Sequence, residues 1–216
     1  MKLLKSKIWV IKLTYRKTNM PTRVQRDFSL QAGVYFQQKF YMNTYKMTLY
    51  MTVETEDIRE QNVAIERIKC FFQEGINNSI FIEETETDLI SKYRDAELKV
   101  CTLPEEPFDQ IICIAIMQKL NSILEHRMIV HSINFGSDLS DNVFFNISIE
   151  DPVGPFDDHG WWAESNMNIS TTTKKSKKDK VVKLIKNNDW VDFGLNWDNK
   201  KGINSEILFT SDIAKT

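Results

Sequence analysis

The most unusual stretch of the chain, Gly154-Pro-Phe-Asp-Asp-His-Gly-Trp-Trp162, sets two acids and a histidine side by side. Carboxylate oxygens and imidazole nitrogens are common ligands of divalent metals, so Asp157, Asp158 and His159 form a candidate metal site. Adjacent residues rarely all point at one centre, however. A catalytic metal would therefore need further ligands from elsewhere in the chain.

The aromatic residues of the same stretch suggest a different use. Trp161 and Trp162, together with Phe156, form a candidate partner-binding surface, because tryptophan is favoured in interface hot spots. In a purely structural alternative, the loop turns on Gly154 and Gly160 while the tryptophans fill the edge of the core. The sequence leaves the metal-binding, partner-binding and structural interpretations open.

Acidic residues also gather where two predicted helices begin, within residues 54–60 and 105–109. Paired carboxylates can hold a metal or exchange protons. Acids at a helix N-terminus need no such purpose, because the helix dipole stabilises them there. The chain has only 3 histidines and 7 glycines, and it lacks the phosphate-binding motifs GxGxxG and GxxxxGK[ST]. We therefore expect no cofactor and a non-enzymatic protein, with a small metal-dependent hydrolase as the alternative.

A basic cluster lies in the polar, low-complexity residues 171–180, where Lys174, Lys175, Lys177 and Lys178 could contact phosphate groups. This cluster makes the protein a candidate for binding RNA or single-stranded DNA. No aromatic residues interleave with the lysines, although stacking usually accompanies single-strand binding. The net charge of −2 also argues against a protein whose main task is to coat nucleic acid. A solvated loop is the plainer interpretation.

Hydrophobic periodicity predicts the elements that would position these residues. Apolar side chains recur at steps of three and four in residues 58–76, which is typical of an amphipathic helix. Residues 108–124 predict a longer and mostly apolar helix. Residues 34–42 and 47–54 predict a hairpin that turns at residues 43–46, and the second arm alternates strictly between apolar and polar side chains. The other predicted elements are a short helix at 85–93 and strands at 7–16, 79–83, 98–102, 128–135 and 142–150.

Residues 47–83 and residues 98–135 each have the predicted order strand, helix, strand. This order predicts an α+β fold with a ferredoxin-like βαβ-βαβ core, in which one helical layer covers a mainly antiparallel sheet. Extra N-terminal strands and a C-terminal arm would extend the core. A rival arrangement with a comparable order sets two long hairpins behind two antiparallel helices, and it resembles the tunnelling folds of pterin enzymes.

We expect residues 1–162 to form the core domain, residues 163–180 a linker or loop, and residues 181–216 an arm that packs on the core or on a partner.

No stretch reaches the ~18 continuous apolar residues of a membrane helix. The 3 cysteines lack the paired spacing of a disulfide framework. The N-terminus lacks the features of a signal peptide. These observations predict a cytoplasmic protein with no membrane contact.

Residues 53–68 and 154–162 resemble uncharacterised proteins of marine T4-like phages. The resemblance implies a phage-encoded accessory protein of the host cytoplasm or the virion, and it implies no activity. Combined with the missing catalytic motifs, it leads us to expect a non-enzymatic interaction or assembly protein. Such a protein would bind a protein partner or form a homo-oligomer.

Overall fold

The structure, a computed structural model, describes residues 22–141, 143–151, 154–156, 158–170 and 189–198. The strand predicted at residues 7–16 lies outside them. In chain order, the described elements are β1 (Thr22–Phe36), β2 (Lys39–Val53), α1 (Ile58–Cys70), β3 (Ile80–Glu83), α2 (Thr87–Asp95), β4 (Val100–Leu103), α3 (Asp109–Leu124), β5 (Met128–Ser137) and β6 (Phe144–Ser148).

β1 and β2 form one long antiparallel hairpin, in which Phe36 lies opposite Lys39. The turn is made by Gln37 and Gln38, whose φ angles of 49° and 59° lie in the left-handed region that a type I′ turn requires. The predicted hairpin of residues 34–42 and 47–54, with its turn at residues 43–46, is therefore wrong: residues 39–42 of the first predicted arm and residues 47–53 of the second both belong to β2. Residues 43–46 also lie within β2, because the alternation of buried and exposed side chains continues through them.

The two long helices form where the apolar periodicity predicts them. α1 begins after Asp57, whose carboxylate accepts a hydrogen bond of 2.8 Å from the Arg59 backbone N–H. It continues through a π-helical turn, Phe71–Ile76, so that the helical segment ends at the predicted residue 76. α3 occupies Asp109–Leu124, in close agreement with the prediction of residues 108–124.

The six strands form a single mixed sheet in the order β4-β3-β1-β2-β5-β6. β1, β2, β5 and β6 are antiparallel neighbours, whereas β3 runs parallel to both β1 and β4. The fold therefore belongs to the α+β class. The ferredoxin-like arrangement is not confirmed: its second and third strands would form a hairpin, but here the corresponding strands β3 and β4 are parallel and are joined by α2.

The helices lie on both faces of the sheet, so the expectation of one helical layer is wrong. Successive side chains of a strand point to opposite faces. Phe81 of β3 belongs to the main core, with the buried faces of α1 and α3. The next residue, Ile82, instead packs with Ile90 of α2 and Val100 of β4 in a separate cluster. α2 therefore covers the opposite face, at the β3–β4 end of the sheet.

The rival arrangement of two hairpins and two helices describes the antiparallel part of the sheet. The hairpins β1–β2 and β5–β6 lie side by side, because β2 pairs with β5. α1 and α3 come between them in the chain and contribute to the same core. The unit β3-α2-β4 is inserted between the two helices and extends the sheet beyond β1.

The main core also contains residues that follow β6 in the chain. Met167 and Ile169 are buried, as are Trp190 and Leu195 of the segment 189–198. These segments therefore pack against the helices and the sheet. No helix among the described residues combines the length and the apolar character that a membrane span requires.

Candidate functional site

The structure places the predicted partner-binding residues in the core. Phe156, Trp161 and Trp162 are only 5%, 0% and 3% exposed. The indole N–H of Trp161 donates a hydrogen bond of 2.7 Å to the backbone carbonyl of Thr102. A Cβ atom at Gly160 would lie 2.2 Å from the Trp162 ring, which explains the glycine at that position. These rings are core side chains, and in this conformation they offer a partner almost no surface.

The candidate metal ligands and the lysine cluster are only partly described. Asp158 and His159 are exposed, and Asp157 lies outside the described residues. Within the described parts of the chain, no group of three His, Cys, Asp or Glu residues could hold a metal ion. Lys174, Lys175, Lys177 and Lys178 lie outside the described residues.

The two acidic stretches do not converge on one pocket. Asp57 precedes α1 near the end of the sheet where Val53 pairs with Met128. Asp109 begins α3 at the opposite end, where its carboxylate accepts a hydrogen bond of 2.7 Å from the Ser137 hydroxyl. The hydrogen bond from Arg59 lowers the pKa of Asp57. Both acids therefore stabilise a helix start, as acids near the positive end of a helix dipole commonly do.

Lys119 is a fully buried lysine on α3. Its ammonium group donates hydrogen bonds of 2.6 Å and 2.8 Å to the backbone carbonyls of Trp161 and Glu164. It also lies 5.8 Å from the centre of the Trp161 ring. Burial disfavours the charged form and lowers the pKa of Lys119 to about 7. Both hydrogen bonds go to the loop that follows β6, so Lys119 holds that loop against α3.

Arg67 has a corresponding position on α1. Its guanidinium group lies over the rings of Trp190 and Trp197, at 4.7 Å and 3.8 Å from their centres. It donates a hydrogen bond of 2.9 Å to the Leu195 carbonyl and pairs with the Glu125 carboxylate at 2.8 Å. Arg67 therefore holds the segment 189–198 against the helices.

Among the described strands, β6 pairs only with β5, so none of them covers its outer side. The N–H of Ile149 donates to a β5 carbonyl, so the backbone groups of odd-numbered residues face β5 and those of even-numbered residues face outward. The outward N–H of Ser148 bonds to the Asp151 carboxylate at 2.6 Å. Within the part of the chain that the structure describes, the outward N–H groups of Phe144 and Asn146 have no partner.

The residues of β6 and its immediate flanks are uncharged and mostly apolar. Residues 143–149 contain no charged residue and no proline, although both are common means of blocking an edge strand. Four apolar side chains here are between 48% and 55% exposed: Leu139, Val143, Phe144 and Ile149. These four residues, with the outer backbone of β6, are called the β6 edge surface below. Exposed apolar edges of this kind are templates for pairing with another strand.

A cleft of about 400 Å³ opens on the α3 side of the sheet, at the end where α3 begins. Its walls are aromatic and come from Phe36, Tyr41, Phe108 and Phe145. The rings of Phe36 and Phe108 meet edge to face, with their centres 5.0 Å apart. The volume and the apolar walls are typical of small-molecule sites. We call this cavity the top cleft.

Polar residues also line the top cleft: Asn43, Tyr45, Asp109, Gln110 and Ser140, beside Tyr41. Tyr45 is fully buried, and its hydroxyl is closed off from solvent. Burial raises the pKa of Tyr45, against a smaller lowering by the neighbouring Asn43 side chain. The Asn43 side-chain oxygen accepts a hydrogen bond of 3.2 Å from the Leu139 backbone N–H. Tyr45 therefore belongs to the packed wall behind the cleft.

Sequence reasoning missed Tyr45, Lys119 and Arg67. Tyr45 lies in the residues that were predicted to form a turn, so no buried position was expected there. Lys119 did carry a signal, because it is the only charged residue in the apolar helix between Ile111 and Leu124. A charge in such a helix must be buried and hydrogen-bonded, or must reach solvent along its stem. Arg67 lies off the apolar stripe of α1, where the periodicity alone predicts a solvent-exposed charge.

No family model and no curated protein matches this chain. Among solved structures, the chain is similar to the uncharacterized protein WS1659 from Wolinella succinogenes. The two are 11% identical with a TM-score of 0.45, and the match covers 61% of this chain and 99% of the other. A likeness of this degree supports no conclusion about function.

Proposed function

We propose that this chain is a non-enzymatic assembly protein that pairs with a second copy of itself through the β6 edge surface. The observation that supports the proposal is an uncharged edge strand whose outward N–H groups, at Phe144 and Asn146, lack partners among the described residues. Pairing with another strand would satisfy these groups and would continue the sheet. It would also bury the exposed apolar side chains beside them.

A second copy fits this edge for two reasons. Two β6 strands can pair antiparallel about a twofold axis, so that each copy offers the same surface to the other. Because residues 143–149 carry no charge, the identical strands do not repel each other. The hydrogen bond from the Ser148 N–H to the Asp151 carboxylate ends the run of unpaired N–H groups at the C-terminal end of β6. It therefore limits the length of the pairing. A twofold contact also closes on itself, so it gives a dimer and not a fibre.

The substitution Asn146→Lys tests this surface. Asn146 is exposed, so a lysine there leaves the core unchanged. Lysine on an edge strand opposes pairing with another strand. The proposal predicts a dimer for the unaltered chain and a monomer for the variant, measured by light scattering coupled to size-exclusion chromatography.

The matched control is Ser91→Lys, which adds the same charge at an exposed position of α2. This control is expected to remain dimeric, and circular dichroism should show that all three proteins are folded. An unaltered chain that stays monomeric at every concentration would contradict the proposal. A folded Asn146→Lys variant that remains fully dimeric would contradict it as well.

The phage origin expected from the sequence is part of the same proposal. Its support is the resemblance of residues 53–68 and 154–162 to proteins of marine T4-like phages. Nothing in the described residues favours the metal-dependent hydrolase or the nucleic-acid-binding alternative over the assembly protein.

A further inference from the structure

We propose that the two copies pair in a single register, with the twofold axis at Phe145, and that Asp151 selects this register. The proposal rests on the pairing of two β6 strands described above, and it adds which residues of the second copy each residue meets. The register is determined by the backbone groups that β6 leaves free and by those that Asp151 already occupies.

Asp151 occupies both outward backbone groups of Ser148. Its carboxylate accepts a hydrogen bond of 2.6 Å from the Ser148 N–H, and its own N–H donates one of 3.0 Å to the Ser148 carbonyl. Among the described residues, the outward backbone groups of Phe144 and Asn146 make no such bonds. A second strand can therefore bond Phe144 and Asn146, but not Ser148.

The axis at Phe145 is the one that matches free groups to free groups. Antiparallel strands exchange hydrogen bonds between residues that lie directly opposite each other. With this axis, Phe144 of each copy lies opposite Asn146 of the other. An axis at Asn146 or at Ile147 would instead bring in Ser148, whose groups are already bonded. An axis at Phe144 would set Asn146 opposite a residue that precedes the start of β6.

The same register covers apolar side chains of the β6 edge surface. Phe145 lines the top cleft beside Phe108, and Ile147 belongs to the main core, so both lie on the α3 side of the sheet. Phe145 would lie opposite Phe145 of the second copy. Val143, which is 52% exposed, would lie beside Ile147 of the second copy. Pairs of aromatic and of branched side chains in such positions stabilise a sheet.

Disulfide trapping in a mixture of two variants tests the register. Phe144→Cys and Asn146→Cys alter exposed positions, so both variants should fold. Opposite residues have Cα atoms close enough for a disulfide, whereas two copies of the same position, each displaced from the axis, lie roughly 8 Å apart, which is too far. Oxidation of the mixture with diamide should therefore give about tenfold more covalent dimer than oxidation of either variant alone. The unaltered chain, whose own cysteines are buried or half-buried, gives the background.

The substitution Asp151→Ala tests the selecting role of this carboxylate. It releases the Ser148 N–H, so that an axis at Asn146 gains a donor. Combined with Asn146→Cys, it should raise the yield of covalent dimer several-fold over Asn146→Cys alone. The matched control is Glu150→Ala, which removes a neighbouring exposed carboxylate and should leave the yield unchanged.

Light scattering on the same samples, before oxidation, separates the register from the pairing itself. A monomer in every sample would contradict the pairing on which the register rests. A dimer that is trapped equally well by Asn146→Cys alone or by Phe144→Cys alone would contradict the register and leave the pairing standing. A dimer that the mixture does not trap would contradict the register as well. An unchanged yield with Asp151→Ala would contradict the role of Asp151.

Discussion

At the residue scale, the buried cations Lys119 and Arg67 hold the chain segments that follow the sheet. Lys119 bonds the carbonyls of the loop after β6, and Arg67 lies over two indole rings of the segment 189–198. Burying a charge is costly unless it is paired and hydrogen-bonded. Arg67 meets both conditions through Glu125 and the Leu195 carbonyl, whereas Lys119 is held by two backbone carbonyls and has no carboxylate partner among the described residues. Their positions indicate a structural role.

Lys119 makes stability depend on pH. Its pKa falls from 10.5 to about 7 in the folded protein, so above pH 7 the unfolded chain binds more protons than the folded one. The free energy of unfolding should therefore rise with pH from about 7 toward 10.5. The slope is at most about 1.4 kcal/mol per pH unit. Urea denaturation between pH 6.5 and 8 measures it, below the range in which the cysteine thiols titrate.

The Lys119→Met variant should lose most of this slope, although it will be less stable because two carbonyl groups lose their donor. Lys92→Met, at an exposed position of α2, should keep the slope of the unaltered chain. Identical slopes in all three proteins would show that Lys119 is charged in the folded state at neutral pH.

The sequence showed which residues are unusual, but it did not show whether they are buried or exposed. Trp161 and Trp162 were recognised as unusual, but whether they lay on the surface or in the core depends on what packs over them. That packing involves Lys119, which lies far from them in the chain. The top cleft could not be predicted, because it results from the three-dimensional arrangement of α3, β2 and the β5–β6 turn.

At the scale of elements, the helices were predictable and the first turn was not. The apolar periodicity of α1 and α3 is a local signal that tertiary packing reinforces. The hairpin turn carried no such signal, since Gln37 and Gln38 are unusual in a position that favours Asn and Gly. Asn43 suggested a turn, yet its side chain is buried within β2 because the long pairing with β1 continues past it.

Replacing Gln37 with Asn and Gln38 with Gly should stabilise the protein. Both positions have positive φ angles, which cost a residue with a side chain about 1 kcal/mol or more relative to glycine. We expect the free energy of unfolding to rise by about 1 kcal/mol in urea denaturation. The control Gln25→Gly, at an exposed position within β1, should instead destabilise the protein, since glycine weakens a strand interior.

At the scale of the whole molecule, the order of elements along the chain did not determine their neighbours in the sheet. The α+β class follows from that order, but the same order fits several sheet arrangements. The structure inserts β3-α2-β4 beyond β1 and places the β5–β6 hairpin beside β2. These pairings join residues far apart in the chain, so no local pattern could reveal them. The strand at residues 142–150 was predicted, but its position at an edge was not.

Hydrogen exchange at single amides tests whether the outer side of β6 pairs with a second copy. Exchange at Phe144 and Asn146 should be slow at protein concentrations where light scattering shows a dimer, and fast on dilution to the monomer. The N–H of Ile149 bonds to β5 and should be protected at both concentrations. Fast exchange at Phe144 and Asn146 in a sample that is fully dimeric would contradict the account.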